Sequence, residues 1–128
     1  MTNLFTASGP VPTSNRQFVS KGWGYEDWIW NTPLYCGKVL FIKKDKKVSW
    51  HYHNLKDEVF YVQDGKMLVL YGPDDDINKA NQIVMGRGDV FHVTVGMRHR
   101  MIGLEDTHVF EFSTQHFDSD SIRLERGD

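Results

Sequence analysis

SWHYHNLKDEVFYVQDG, residues 49–65, is the stretch on which the reading of this chain turns. His51 and His53 are separated by one residue. On a β-strand side chains alternate with period two, so both imidazoles leave the same face. Glu58 opens the apolar run Val59, Phe60, Tyr61, Val62, which reads as the next strand. Asn54 to Asp57 are polar enough to be the connection. Two neighbouring strands can then aim two ring nitrogens and one carboxylate at a single point, a mixed set that a divalent metal takes readily. Alone, a His-x-His pair is equally compatible with two exposed surface side chains.

A second stretch, GDVFHVTVGMRH at residues 88–99, adds a Gly-Asp turn, a strand from Val90 to Val95, a tight turn at Gly96 and a further histidine, His99. Together the two stretches resemble the paired motifs of the cupin superfamily. The first motif there is Gly, five residues, His-x-His, three or four residues, Glu, six residues, Gly. His51, His53, Glu58 and Gly65 match it, with Asp45 at the place of the leading Gly. The second is Gly, five residues, Pro-x-Gly, two residues, His, three residues, Asn. Gly88, Gly96 and His99 match; Thr94 replaces the Pro and Gly103 the Asn. The departures fall on turn positions and leave the ligand types intact. The resemblance covers roughly residues 20–115 and implies an all-β double-stranded β-helix, the cupin jelly-roll barrel. It implies metal ligation by His51, His53, Glu58 and His99.

At 128 residues the chain is long enough for one domain with a proper core. Its hydrophobic fraction of 40% and aromatic fraction of 13% indicate a globular fold. A net charge of −2 gives no global reason to expect nucleic acid. Cys36 is the single cysteine, so no internal disulfide framework exists, and a small buried strand residue is the expected role. No apolar run approaches membrane-spanning length, and no basic-then-apolar leader opens the chain, so the expected location is cytoplasmic.

Residues 1–17 are rich in Thr, Ser, Pro and Asn and read as an N-terminal arm, suited to crossing to a partner in a homodimer. Residues 18–128 read as a single cupin domain. Lys-Gly-Trp-Gly-Tyr-Glu at 21–26 loosely resembles the opening of type II mannose-6-phosphate isomerase-like cupins. The tryptophans that follow suit either packing or stacking on a sugar face. Tyr35 to Lys43 reads as a strand with Val39 and Phe41 on one face and Lys38, Leu40 and Ile42 on the other. Lys38 on that apolar face suggests a ligand anion or a side chain snorkelling to the rim. Asp74–Asp76 lack the alternating spacing of a calcium loop and read as solvated. His92 lies outside the motif register and reads as core or as a neighbour of the ligands. The last clear strand is His108 to Ser113, with Glu111 on the face of Val109. The tail from Ser113 to Asp128 loosely resembles the Ser-Thr-x-His…Asp…Arg-Leu segment of sugar-phosphate-type cupins, and no chemistry is assigned to it.

Three neutral imidazoles and one carboxylate leave one divalent ion (Zn, Mn, Fe, Ni or Co) with net positive charge and open positions. Such an ion polarises carbonyls or acidifies hydroxyls, which suits isomerisation of a sugar or sugar phosphate. Glu111 is the acid or base candidate, or else a structurally paired carboxylate. Lys38, Arg98 and Arg100 are candidate anchors for an anionic group. Two alternatives use the same site: an Fe(II)-dependent dioxygenase, and a non-catalytic module that binds a small molecule through the metal.

Overall fold

A computed structural model describes residues 13–128. Eleven strands account for most of it: β1 Gln17–Lys21, β2 Gly24–Asn31, β3 Cys36–Ile42, β4 Trp50–Tyr52, β5 Glu58–Asp64, β6 Lys66–Gly72, β7 Asn81–Gly86, β8 Val90–Val93, β9 Arg98–Gly103, β10 Thr107–Ser113 and β11 Ile122–Glu125. They form a six-stranded sheet in the order β1-β2-β3-β10-β5-β8 and a five-stranded sheet in the order β11-β4-β9-β6-β7. Every pairing between these strands is antiparallel. This is the all-β jelly roll that the two motifs imply. No helix among the described residues is long and apolar enough to cross a membrane. Most of the expected arm lies outside the described residues, and Gln17 already belongs to β1.

Alternation along the strands builds the interior. Lys38, Leu40 and Ile42 of β3 point inward, as do Glu58, Phe60 and Val62 of β5 and Val109 and Glu111 of β10. Met67 and Val69 of β6, Met85 of β7 and Met101 of β9 meet them from the other sheet in one hydrophobic cluster. Burying a side chain such as Phe60 contributes about 1.5–3 kcal/mol. The apolar cluster fills one part of the space between the sheets, and polar groups at the ends of the same inward rows line the rest. Cys36 is buried, as expected.

The motif departures at Asp45 and Gly103 meet one another. Asp45 takes φ 66°, the left-handed conformation that the motif's Gly would supply and that Asp tolerates better than most residues. Its N–H donates to the Gly103 carbonyl at 2.8 Å, and the Gly103 N–H donates to the Lys46 carbonyl at 2.9 Å. A side chain at residue 103 would collide with the Lys43 carbonyl, so this docked turn requires Gly there. Thr94 opens the turn before β9, with the Met97 N–H donating to its carbonyl at 3.0 Å and Gly96 at φ 85°.

Three expectations change. His92 is neither core nor a neighbour of the ligands; it is exposed, with Nε2 2.8 Å from Asp57 Oδ1. Its strand ends at Val93, two residues early, because Thr94 starts the turn. The tail is structured: Asp118–Asp120 forms a single 3-10 turn and β11 pairs with β4. Asp45→Val should cost about 1–2 kcal/mol in urea unfolding, whereas Asp45→Gly should leave stability within about 1 kcal/mol of wild type.

Candidate metal centre

β4 is three residues long and sits between β9 and β11, with His51 directly opposite His99. His53 follows at the end of β4, on the same face. One ring nitrogen from each of His51, His53 and His99 lies within 4.8 Å of the other two, and all three side chains are enclosed. Ring centroids are 4.3 Å apart for His51–His99 and 5.0 Å for His51–His53.

Backbone carbonyls fix the tautomers. His51 Nδ1 lies 2.9 Å from the Ser49 carbonyl, His53 Nδ1 2.9 Å from the Asp120 carbonyl, and His99 Nδ1 3.0 Å from the Met97 carbonyl. A carbonyl only accepts, so each Nδ1 carries the proton and each Nε2 presents a lone pair. Burial pushes the His51 imidazole well below its usual pKa, with His99 and His53 adding to the effect. Burial also lowers His99, although the Glu58 charge opposes it. Both rings are therefore held neutral, the form that binds metal.

Glu58 enters from β5 in the opposite sheet. Its Oε2 lies 3.2 Å from His53 Nε2 and 3.8 Å from His99 Nε2. Glu58 Oε2 and His99 Nε2 are buried and have no hydrogen-bond partner. A buried carboxylate oxygen facing unprotonated ring nitrogens is a costly arrangement. A cation shared among them removes the cost, and the donor set of three imidazoles and one carboxylate suits a divalent transition metal. The residues fit the group that the motifs imply. His51, His53 and Glu58 line a cavity of about 550 Å³, together with Trp28, Lys38, Lys56, Glu111, His116 and Arg123.

A sequence profile described as the cupin domain matches residues 38–113. The chain belongs to the cupin family. No curated protein sequence matches it significantly. Solved structures share the fold. The capsular polysaccharide assembling protein CapF of Staphylococcus aureus is 21% identical, with a TM-score of 0.73 over 91% of this chain and 35% of CapF. KdgF from Halomonas sp. is 19% identical, with a TM-score of 0.64 over 74% of this chain and 81% of its own. Oxalate decarboxylase from Bacillus subtilis is 16% identical, with a TM-score of 0.74 over 93% of this chain and 34% of its own. This cupin thus spans about a third of the length of CapF and of oxalate decarboxylase.

The other sequence-derived candidates separate into two groups. Lys38 and Glu111 line the cavity; Arg98 and Arg100 do not. Lys38 does not snorkel: it is buried, with Nζ 3.2 Å from Glu26 Oε1 and 4.3 Å from the centre of the Trp28 ring. Arg98 stacks on Tyr52 and binds Asp75 Oδ1 at 2.8 Å, outside the cavity. Arg100 is buried and donates to the Val48 carbonyl at 2.7 Å, to Glu125 Oε1 at 2.8 Å and to the Arg126 carbonyl at 2.9 Å. It clasps β11 to the sheet. Glu111 is the paired carboxylate of the two expected roles. It accepts from Lys56 Nζ and Ser113 Oγ, each at 3.0 Å. Burial alone would raise its pKa, but Lys56 and Lys38 outweigh this and hold it below the carboxylate range. Such a group is a poor proton acceptor at neutral pH.

Lys56, His116 and Asp120 were not singled out in the sequence. Lys56 Nζ lies 3.0 Å from Glu111, 3.1 Å from His116 Nδ1 and 3.7 Å from Glu58 Oε1. Burial opposes its charge, but Glu111 and Glu58 overcome this and hold the ammonium protonated. His116 Nε2 meets Asp118 Oδ1 at 3.0 Å, which leaves Nδ1 to accept from Lys56. Asp120 is buried and organises the ligand loop. Its carboxylate accepts the N–H groups of Asn54, Leu55 and Lys56 at 2.9–3.3 Å, while its carbonyl orients His53. The available signal was positional: Asp120 and His116 stand in the Ser-Thr-x-His…Asp segment that resembled sugar-phosphate-type cupin tails. Asp120→Ala should lower metal affinity about 10–100-fold, measured by competition with a chromogenic chelator, because it frees both the loop and the orienting carbonyl.

Proposed function

We propose that this cupin holds one divalent transition metal through His51, His53, Glu58 and His99 and acts on a sugar or sugar phosphate in the adjoining cavity, in the manner of an isomerase or epimerase. The observation that carries the reading is the pair of buried, unpartnered atoms 3.8 Å apart, Oε2 of the cavity-lining Glu58 and His99 Nε2. When bound, the metal supplies Lewis acidity toward a carbonyl or hydroxyl oxygen. The chain's own groups complete the environment. Lys56 stays protonated between Glu111, Glu58 and His116, a fixed positive charge beside the ligands. Glu111 holds that ammonium in place and is not needed as the base. Trp28 places an aromatic ring on the cavity wall, where a sugar face can stack. The name of CapF, a capsular polysaccharide assembling protein, supports a carbohydrate setting.

A homodimer belongs to the same proposal. The outer face of the six-stranded sheet carries a row of rings in tilted contact, Phe18, Tyr25, Phe41 and His108, and Phe18 is 62% exposed.

Protein purified without added metal should contain close to one equivalent of Zn, Mn, Fe, Ni or Co by plasma mass spectrometry. His51→Ala and His99→Ala should reduce this to near background, and stoichiometric metal in both variants would overturn the assignment. With metal bound, aldoses or their phosphates incubated in D2O should gain deuterium beside the carbonyl, read by NMR. Iron accompanied by oxygen uptake would point instead to a dioxygenase, and saturable sugar binding without exchange to a binding module.

A further inference from the structure

β11 adds one more residue to the row of ligands. In register, Tyr71 lies opposite His99, His99 opposite His51, and His51 opposite Arg123. Directly opposed residues of antiparallel strands share a face, with Cβ atoms roughly 4.5–5.5 Å apart. Arg123 therefore leaves β11 on the face from which His51 and His99 project, and it lines the same cavity. Immediately after it the register shifts, between Arg123 and Glu125, a local bulge of the kind that re-aims side chains beside functional sites. Arg126, beyond the bulge, lines the cavity too. The backbone carrying both is fixed by buried Arg100, through the Glu125 side chain and the Arg126 carbonyl.

The charges around this cavity are unequally satisfied. Lys21 and Lys38 share Glu26, and Lys56 is held by Glu111 and Glu58. Asp118 is engaged by His116, and an Asp128 carboxylate oxygen accepts the Lys47 N–H. Among the described residues, no ion pair reaches the guanidinium of Arg123 or Arg126, and both side chains are exposed toward the cavity mouth. These are the cavity's uncommitted cations.

We infer that Arg123, supported by Arg126, forms an oxyanion subsite beside the metal ligands, and that the substrate is a hydroxylated small molecule bearing a carboxylate or phosphate. The inference rests on the proposed metal centre and narrows its substrate to acidic sugars or sugar phosphates. A planar guanidinium matches either oxyanion with two parallel hydrogen bonds. The anion anchor expected at Lys38, Arg98 or Arg100 thus moves to β11, because Lys38 is paired with Glu26 and the two arginines are consumed by Asp75 and by the clasp on β11 itself.

The test is calorimetric titration of the metal-loaded full chain with glucuronate, mannose 6-phosphate, inorganic phosphate and neutral mannose. Wild-type protein should bind at least one sugar anion more tightly than mannose. Arg123→Gln should weaken that anion by about 10–100-fold while leaving mannose within about twofold. Arg123→Lys should recover part of the loss. A preference for glucuronate or for the phosphates tells which oxyanion the subsite takes. Equal anion affinity in wild type and Arg123→Gln, or no anion binding above that of mannose, would overturn the inference. Metal content and melting temperature, measured on the same samples, separate the outcomes. Loss of metal from the wild type would sink the metal reading, whereas intact metal with no effect at Arg123 would sink the subsite alone. Arg126→Gln, away from the ligand row, should show a smaller loss in the same direction.

Discussion

Three imidazole N–H groups, each donating to a backbone carbonyl, determine what this molecule can do. The carbonyls of Ser49, Met97 and Asp120 take the Nδ1 protons of His51, His99 and His53, so three Nε2 lone pairs converge, with a buried carboxylate beside those of His53 and His99. Such convergence is unfavourable in the absence of a cation. It persists because carbonyls on strand, turn and tail segments hold the rings from behind. The fold's contribution is the register that places His51 opposite His99 and brings Glu58 across from the other sheet.

Around that centre the interior divides by chemistry. Apolar alternation packs Phe60, Val62, Met67, Val69 and Val109 to one side. The same inward rows carry Lys38, Glu58 and Glu111 to the other. Each buried charge there except Glu58 Oε2 is matched within a hydrogen-bonded pair. A cavity whose lysines are already neutralised can hold a hydroxylated ligand without a large unbalanced field. Discrimination by charge then falls to Arg123 of β11 and to Arg126 just beyond it.

Much of the fold and the convergence of His51, His53 and His99 were legible because they rest on local rules. Period-two alternation gave the inward faces of β3, β5 and β10, and motif spacing gave the turns that bracket the ligands. What stayed hidden depends on distant pairing. Arg98 and Arg100 flank a ligand in sequence, but their neighbours in space are Asp75 and Glu125, which spacing does not disclose. Lys56 read as a loop residue and is buried because Glu111, fifty-five positions away, is its counter-ion. Arg123 acquires its place beside His51 only when the tail returns to pair with β4. The exchange of Gly for Asp45 and of Asn for Gly103 looked like two separate departures, and is one docked turn.

The central claim is that His51, His53, Glu58 and His99 together hold one metal ion. Anomalous diffraction from crystals of metal-loaded protein, collected on either side of the metal's absorption edge, tests it directly. One peak within coordination distance of the three Nε2 atoms and of a Glu58 carboxylate oxygen is the result this account predicts. A peak elsewhere, or one bound by the histidines with Glu58 turned away toward Lys56, would contradict it.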